Sequence, residues 1–375
     1  MKFTLFKIDE MSDELWSAFT ELRNARALYD DPFFDPDFAR LVGEVREDTR
    51  IGVAFDKDEA IGFWALHQRP GMWARPIGGP FSDWHGPILK QQASLSAERF
   101  LGGLGLAGMT CFGLLPQSLE RQDGFKRVGA NMTNLSMGWK PFMADQQKRW
   151  PKHFKKMRRV FRNVERDFSE ARFEWDDKSE ESFNSLISLK SDQFTRTGFH
   201  NVLKPDWAQK LLDRLRCYEG PRLRTRLVSL HYDGKMASAE LNLQSDKVMH
   251  GWLTVFDQAY GSYSPGNQIV QDVLEHMASA GFNTYDAGPG LDHYKRHYAN
   301  YHLPIDSGIL RGKRGSFAPS RIAGRMWRSS EAFMPGKAGE LMGRTRRRID
   351  QIALAETSTG ARLSGVYHAI THRNL

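Results

Sequence analysis

Tyr263-Ser264-Pro265-Gly266-Asn267-Gln268-Ile269-Val270-Gln271-Asp272-Val273-Leu274-Glu275-His276-Met277 is the stretch on which the fold turns. Ser264 stands where a helix N-cap is expected, and Pro265 suits the first helical position. Ile269, Val270, Val273, Leu274 and Met277 recur at helical spacing, and Gly281 supplies the stop. A helix opened by small residues presents backbone N–H groups and the positive end of its dipole, which suits a phosphate or pyrophosphate. Every capped helix has such an end, so position decides. A strand at Gly251 to Phe256 precedes this helix, and another ending in Asp286 follows it.

Further upstream the same order of elements occurs twice. Arg50 to Gln68 reads as a hairpin turning at Asp56-Lys57-Asp58-Glu59, and Arg226 to Gln244 as a second turning at Tyr232-Asp233-Gly234-Lys235. Each is followed by a loop, an amphipathic helix (Gln91 to Leu101; Pro265 to Ser279) and a strand (Met109 to Leu115; Phe282 to Ala287). This pattern predicts a duplicated α/β domain with mixed sheets, although residue identity between the halves is negligible. The expected division is 1–149, 150–310 and a basic tail at 311–375. Gly103, Gly105 and Gly108 match G-x-G-x-x-G, but they follow a helical stretch and precede a strand. That is the reverse of a dinucleotide-binding turn.

The chain has 375 residues, 40% hydrophobic and 26% charged, so a packed globular protein is expected. Its net charge of +8 is unevenly placed. Arg311 to Leu375 carries 13 basic and 4 acidic residues, and Pro151 to Arg166 carries 7 basic residues and one Glu. Residues 1–310 as a whole carry 40 basic and 41 acidic residues and are near neutral, which argues against a general nucleic-acid binder. Phe154, Met157, Val160, Phe161 and Val164 recur at helical spacing through that mid-chain run. It therefore reads as an amphipathic helix whose cationic face is either solvated or an anion-binding arm. Past Leu310 the pattern decays, and the tail reads as short helices with Arg346-Arg347-Arg348 solvated and a membrane-surface or partner-docking role open to it. Cys111 and Cys217 are the only cysteines. They read as buried filler, excluding a disulfide framework and a thiolate metal site, and no metal is expected. No signal peptide or membrane span is legible, so a cytoplasmic protein is expected, peripheral at the inner membrane face if the tail binds there.

Tyr263-Ser264-Pro265-Gly266, then Gly281, Tyr285-Asp286, Gly288, Gly290 and Tyr294-Lys295, resemble the CelD/BcsL-type GNAT acetyltransferase family of exopolysaccharide and cellulose gene clusters. Upstream, Lys155 to Arg162 look like the family's basic helix, Asp233-Gly234-Lys235 with Ala237 like its hairpin, Pro32-Phe33-Phe34 with Pro36 like its N-terminal loop, and Ser82-Asp83-Trp84 like a first-domain segment. The resemblance covers about residues 30 to 300. It implies tandem GNAT-like domains, the second holding an acyl donor and the first shaping an acceptor groove. It extends to the FemAB group, which pairs two such domains and takes amino acids from tRNA.

Acyl transfer needs the donor held, its carbonyl polarised and protons moved. Donor binding falls to Ser264, Pro265, Gly266 and Asn267, with Lys295 on a phosphate or an acidic acceptor. Pro265 removes one N–H from a loop that is usually richer in them, so the donor is acetyl-CoA, another acyl-CoA or an acyl-carrier protein. The resemblance makes Tyr294 the acid that protonates the thiolate. Asp286 and Glu240 are candidate bases. Arg196, His200 and Trp207, in a loop-like segment before the second hairpin, are candidate contacts for a sugar or amino-acid-like acceptor. The expected activity is acyl transfer to an amine in polysaccharide or cell-envelope biosynthesis. An aminoacyl-tRNA-dependent amide ligase and a non-enzymatic scaffold docking on membrane-associated polysaccharide machinery are the alternatives.

Overall fold

The computed structural model describes residues 1–93, 95–116, 125–290, 295–312, 345 and 348–371. Its strands are β1 (Lys2–Phe6), β2 (Thr49–Asp56), β3 (Glu59–Arg69), β4 (Trp73–Pro76), β5 (Ile88–Leu89), β6 (Gly108–Leu114), β7 (Lys126–Asn134), β8 (Ala171–Glu174), β9 (Arg224–Tyr232), β10 (Lys235–Gln244), β11 (Val248–Phe256), β12 (Thr284–Pro289) and β13 (Tyr301–Arg311). Its helices include α1 (Asp13–Asn24), α2 (Pro36–Val45), α3 (Ala97–Gly103), α4 (Trp139–Arg149), α5 (Pro151–Asp167), α6 (Glu180–Thr197), α7 (Asp206–Leu215), α8 (Pro265–Ser279) and α9 (Lys295–Tyr298), with a C-terminal helix at Thr359–Thr371.

Both expected hairpins form, as β2–β3 and β9–β10. Their turns use left-handed residues, Lys57 at φ 54° and the pair Asp233 and Gly234 at 47° and 76°. Two successive positive φ values are what a two-residue hairpin needs, and Asp-Gly supplies them cheaply. The duplication runs deeper than the hairpins. Strand, two helices, hairpin, strand, helix, strand describes β1 to β6 with α1 to α3, and again β8 to β12 with α6 to α8. In each half the strands flanking the later helix are parallel, β4 with β6 and β11 with β12.

The halves share one mixed sheet in the order β1-β2-β3-β4-β6-β13-β7-β12-β11-β10-β9-β8. The last strand of each half has crossed into the other: β13 pairs with β6, and β7 pairs with β12. β7 and β13 also pair with each other, so the exchange is reciprocal. Sequence patterning identifies strands, not partners, and this exchange is invisible in it.

α8 packs its expected residues Ile269, Val270, Val273, Leu274 and Met277 into a core with Met249 and Tyr285. α5 buries Phe154, Met157, Val160 and Val164 and leaves Lys152, Lys155, Lys156, Arg158, Arg159, Arg162 and Arg166 exposed. The segment expected to be loop-like before the second hairpin is mostly helical. Residues 180–215 hold α6 and α7, and α7 buries Trp207, Leu211 and Leu215. Within the tail, helix 348–355 docks on the body, with Ile352 and Ala355 buried. Arg346 and Arg347 lie outside the described residues. Cys111 is buried, but Cys217 is exposed just past α7, where it fills no core. Among the described residues no helix is long and apolar enough to cross a membrane.

Candidate active site

Parallel β11 and β12 stay paired for only three residues, Val248 with Thr284, Met249 with Tyr285 and His250 with Asp286. Beyond that point the strands part. β11 bulges against β10 after Leu241, and β12 shifts its register against β7 after Asp286. The gap opens toward the start of α8, as ligand sites in open α/β sheets do at the carboxyl ends of parallel strands. The first half has no such gap along β6. There the chain doubles back after β4, and His85 bridges in parallel to Leu114, with its N–H on the Gly113 carbonyl at 3.1 Å.

Where the strands part, different chemistry sits on each face of the sheet. On the α8 side, Glu240 is fully buried, accepting 2.7 Å from the Thr254 hydroxyl and 3.0 Å from the Tyr285 phenol. Burial pushes its carboxyl above the usual range, offset in part by those bonds and by the charge of Lys295. Gly251 makes room for this group, since a Cβ there would lie 2.3 Å from the Tyr285 hydroxyl and 3.2 Å from Glu240 Oε1. The opposite face carries His250 and Asp286, both fully buried, with Nδ1 and Oδ2 3.0 Å apart. Asp286 also accepts the Trp84 indole N–H and, at 2.7 Å, the Gly288 N–H. His250 Nε2 lies 3.1 Å from Asp83, and its Nδ1 4.0 Å from Asp31. Although burial disfavours its cation, Asp286 and Asp83 hold His250 well above its ordinary value. Burial pushes the Asp31 carboxyl up to about 8. Asp31 and Asp286 line a cleft of ≈ 340 Å³ between the halves, with Asp30, Phe34, Trp84, Lys247 and Tyr301.

Of the candidates, Glu240 and Lys295 are brought within electrostatic reach of each other, while Asp286 lies across the sheet from them, tied to His250. Tyr294 lies outside the described residues. Pro265 opens α8 as expected. Ser264 holds the N-cap position, but in the left-handed region (φ 50°), and its side chain makes no cap bond. The Ser264 N–H is spent on the Gly261 carbonyl at 3.2 Å and the Asn267 N–H on the Ser264 carbonyl at 2.9 Å. Tyr298 anchors the helix start, with its hydroxyl 3.3 Å from Asn267 Oδ1 and 3.0 Å from Gln271 Nε2.

The third group of candidates sits elsewhere, two of the three on helices and only His200 in a loop. Arg196 is in the last turn of α6 and Trp207 in the first turn of α7, with His200 between them. Trp207 donates its indole N–H to the Ala355 carbonyl at 2.7 Å, and His200 Nε2 lies 3.0 Å from Glu356. Trp207 and His200 hold the C-terminal segment, whereas Arg196 is exposed. A buried His within an otherwise apolar strand was the signal for His250 that sequence reading missed; Asp31 and Asp83 are placed by tertiary folding alone.

Two groups bring carboxylates and an imidazole close enough to hold a metal. Around Glu174, Asp177 and His231, the Ser229 hydroxyl already links Asp177 at 2.6 Å and His231 at 2.9 Å, and Arg172 pairs with Glu174. In the other, Asp286 is committed to Trp84, Gly288 and His250. Both are hydrogen-bonded clusters in which one imidazole nitrogen, His231 Nδ1 or His250 Nδ1, is buried without a hydrogen bond.

Residues 151–296 match the family model described as an acetyltransferase (GNAT) domain. No curated protein matches the sequence. Similar solved structures include FemX, at 11% identity over 69% of this chain and 87% of that one, with a TM-score of 0.46. A tandem GNAT protein from the clavulanic acid biosynthesis pathway shares 11% identity over 82% and 96%, TM-score 0.43. A GNAT-family acetyltransferase from Colwellia psychrerythraea shares 11% over 82% and 98%, TM-score 0.46. Residues 151–296, which carry the parted strands, thus match a GNAT acetyltransferase domain, and that match supports an acyltransferase.

Proposed function

We propose that the chain moves an acetyl or other acyl group from a pantetheine thioester to an amine on a sugar or amino-acid-like acceptor, in cell-envelope polysaccharide synthesis. One observation carries this reading: β11 and β12 part beside α8, where carboxylates converge on both faces. The thioester arm lies in the gap, and the acceptor amine reaches it from the cleft lined by Asp30, Asp31, Lys247 and Asp286, meeting Glu240 through the opening between the parted strands. The amine nitrogen attacks the thioester carbonyl, a C–N bond forms, the C–S bond breaks and the thiolate leaves. Glu240, its carboxyl raised by burial, takes the ammonium proton. Tyr294 returns one to the thiolate, as the resemblance implies. Calorimetry with acetyl-coenzyme A and with an acetyl-loaded carrier protein tests the reading. Failure of both to bind sinks it, and Tyr294→Phe is expected to lose turnover while keeping donor affinity.

The aminoacyl-tRNA alternative draws on the exposed cations of α5. Tail-dependent docking on a membrane machine draws less, because residues 352–356 are held by the protein's own body.

A further inference from the structure

The start of α8 is poorly equipped for a free pyrophosphate. Pro265 has no N–H, and those of Ser264 and Asn267 are already bonded within the turn. No Lys or Arg occurs from Gln258 to Asp272, and the stretch is flanked by Asp257 and ended by Asp272, whose carboxyl burial pushes up to about 7. The slot between the strands is nonetheless present. The nearest large positive surface belongs to α5, which packs against the turn Gln258–Tyr263 leading into α8. It is fixed there by the Tyr263 hydroxyl on Asp167 at 3.0 Å and by Phe168 against Tyr263 at 4.9 Å. Its apolar stripe is buried, so the helix is rigidly mounted. Among the described residues, Lys152, Lys155, Lys156, Arg158, Arg159 and Arg162 pair with no carboxylate. At 1.5 Å per residue the row of six cations is about 15 Å long.

We infer that α5 docks an acidic carrier protein whose pantetheine arm delivers the acyl group into the gap between β11 and β12. This rests on the acyl-transfer reading above and names its donor. A carrier protein needs only the slot for its arm and a cationic face for its body, and these are what the molecule supplies. Free coenzyme A needs phosphate donors at the helix start, where few remain. A tRNA needs phosphate contacts spread over a wide area, and residues 1–310 outside 151–166 carry 33 basic against 40 acidic residues.

The test measures binding of holo acyl-carrier protein, coenzyme A and bulk tRNA to the full chain, and to the variant Lys155→Glu, Arg158→Glu, Arg159→Glu, Arg162→Glu. These side chains point to solvent, and an unchanged melting temperature verifies folding; a milder Arg158→Ser, Arg162→Ser pair serves if it falls. The carrier is expected to bind at low salt, to weaken as salt rises and to lose on the order of 100-fold affinity in the reversal variant. Coenzyme A affinity is expected to be lower than the carrier's and to change less than about twofold. Carrier binding that is absent, or indifferent to reversal, overturns the inference. So does tRNA displacing the carrier from α5. Coenzyme A binding with no carrier binding overturns it but leaves acyl transfer standing, whereas absence of both removes the two together.

Discussion

His250 and Asp286 face each other as the last registered pair of the parallel strands β11 and β12, 3.0 Å apart, where those strands separate. The pair joins the halves, because Asp83, Trp84 and Asp31, which close around it, all come from the first half.

Asp31 gives the fold a pH dependence of definite sign. Burial raises its folded value to about 8, with Asp286 raising it further and His250 opposing; Asp83 faces the same imidazole. An unfolded Asp releases its proton near ~4. The folded state therefore binds more protons between those values, and stability falls as pH rises from about 4 to about 8. His250, also raised, contributes in the same direction: its stabilisation is present below about 6.5 and lost as pH rises through its folded value. Asp31→Asn is expected to flatten part of the slope in urea melts from pH 5 to 8. An unchanged slope would remove Asp31 from the account.

Glu240→Gln preserves shape and most hydrogen bonding but removes the base. Turnover is expected to fall about 100-fold, with donor affinity unchanged. Gly251→Ala tests the crowding around that carboxyl and is expected to cost about 1–3 kcal/mol of stability, because the new methyl overlaps the Tyr285 hydroxyl. Chemical denaturation of both variants separates the two effects.

Asp48 bridges Arg46 at 2.7 Å, Arg69 at 3.1 Å and His67 at 3.2 Å. Despite burial, these partners hold its carboxyl far below the usual range. Asp48→Asn leaves two buried guanidiniums without their counter-charge, so a loss of about 3–5 kcal/mol is expected. The wild type should lose this stabilisation as pH falls below about 4. Acid unfolding of the two proteins checks both statements.

The same arginines receive the tail. Arg46 and Arg69 donate to the carbonyls of Leu354 and Ala353, and Trp207 to that of Ala355, so the end of helix 348–355 is capped by side chains from both halves. Removing residues 345–375 is expected to lower the melting temperature, and a peptide of that sequence added in trans should restore it. Trp207→Phe, losing one hydrogen bond, is expected to cost about 1 kcal/mol.

Local chemistry made parts of this legible. Asp233-Gly234 announces its turn, Pro265 and Gly281 bracket α8, and the spacing of Ile269 to Met277 names its buried face. Glu240 stood out as a carboxylate within a hairpin strand. The His250 cluster did not, because its members are separated by up to 255 positions between Asp31 and Asp286 and meet only through packing. Trp207 and His200 were misassigned for a related reason: polar and aromatic residues suited to a ligand are equally suited to capping the protein's own helix.

The crossing of β7 and β13 has a consequence for biosynthesis. β6 has no final neighbour until residue 311 has been made, so the first half leaves the ribosome with an open strand edge. The 186 residues between β6 and β13, translated at roughly 5–20 residues per second, leave that edge exposed for on the order of 10 seconds or more. Expressed alone, either half would carry the same defect permanently, and its ready remedy is a strand borrowed from a second copy.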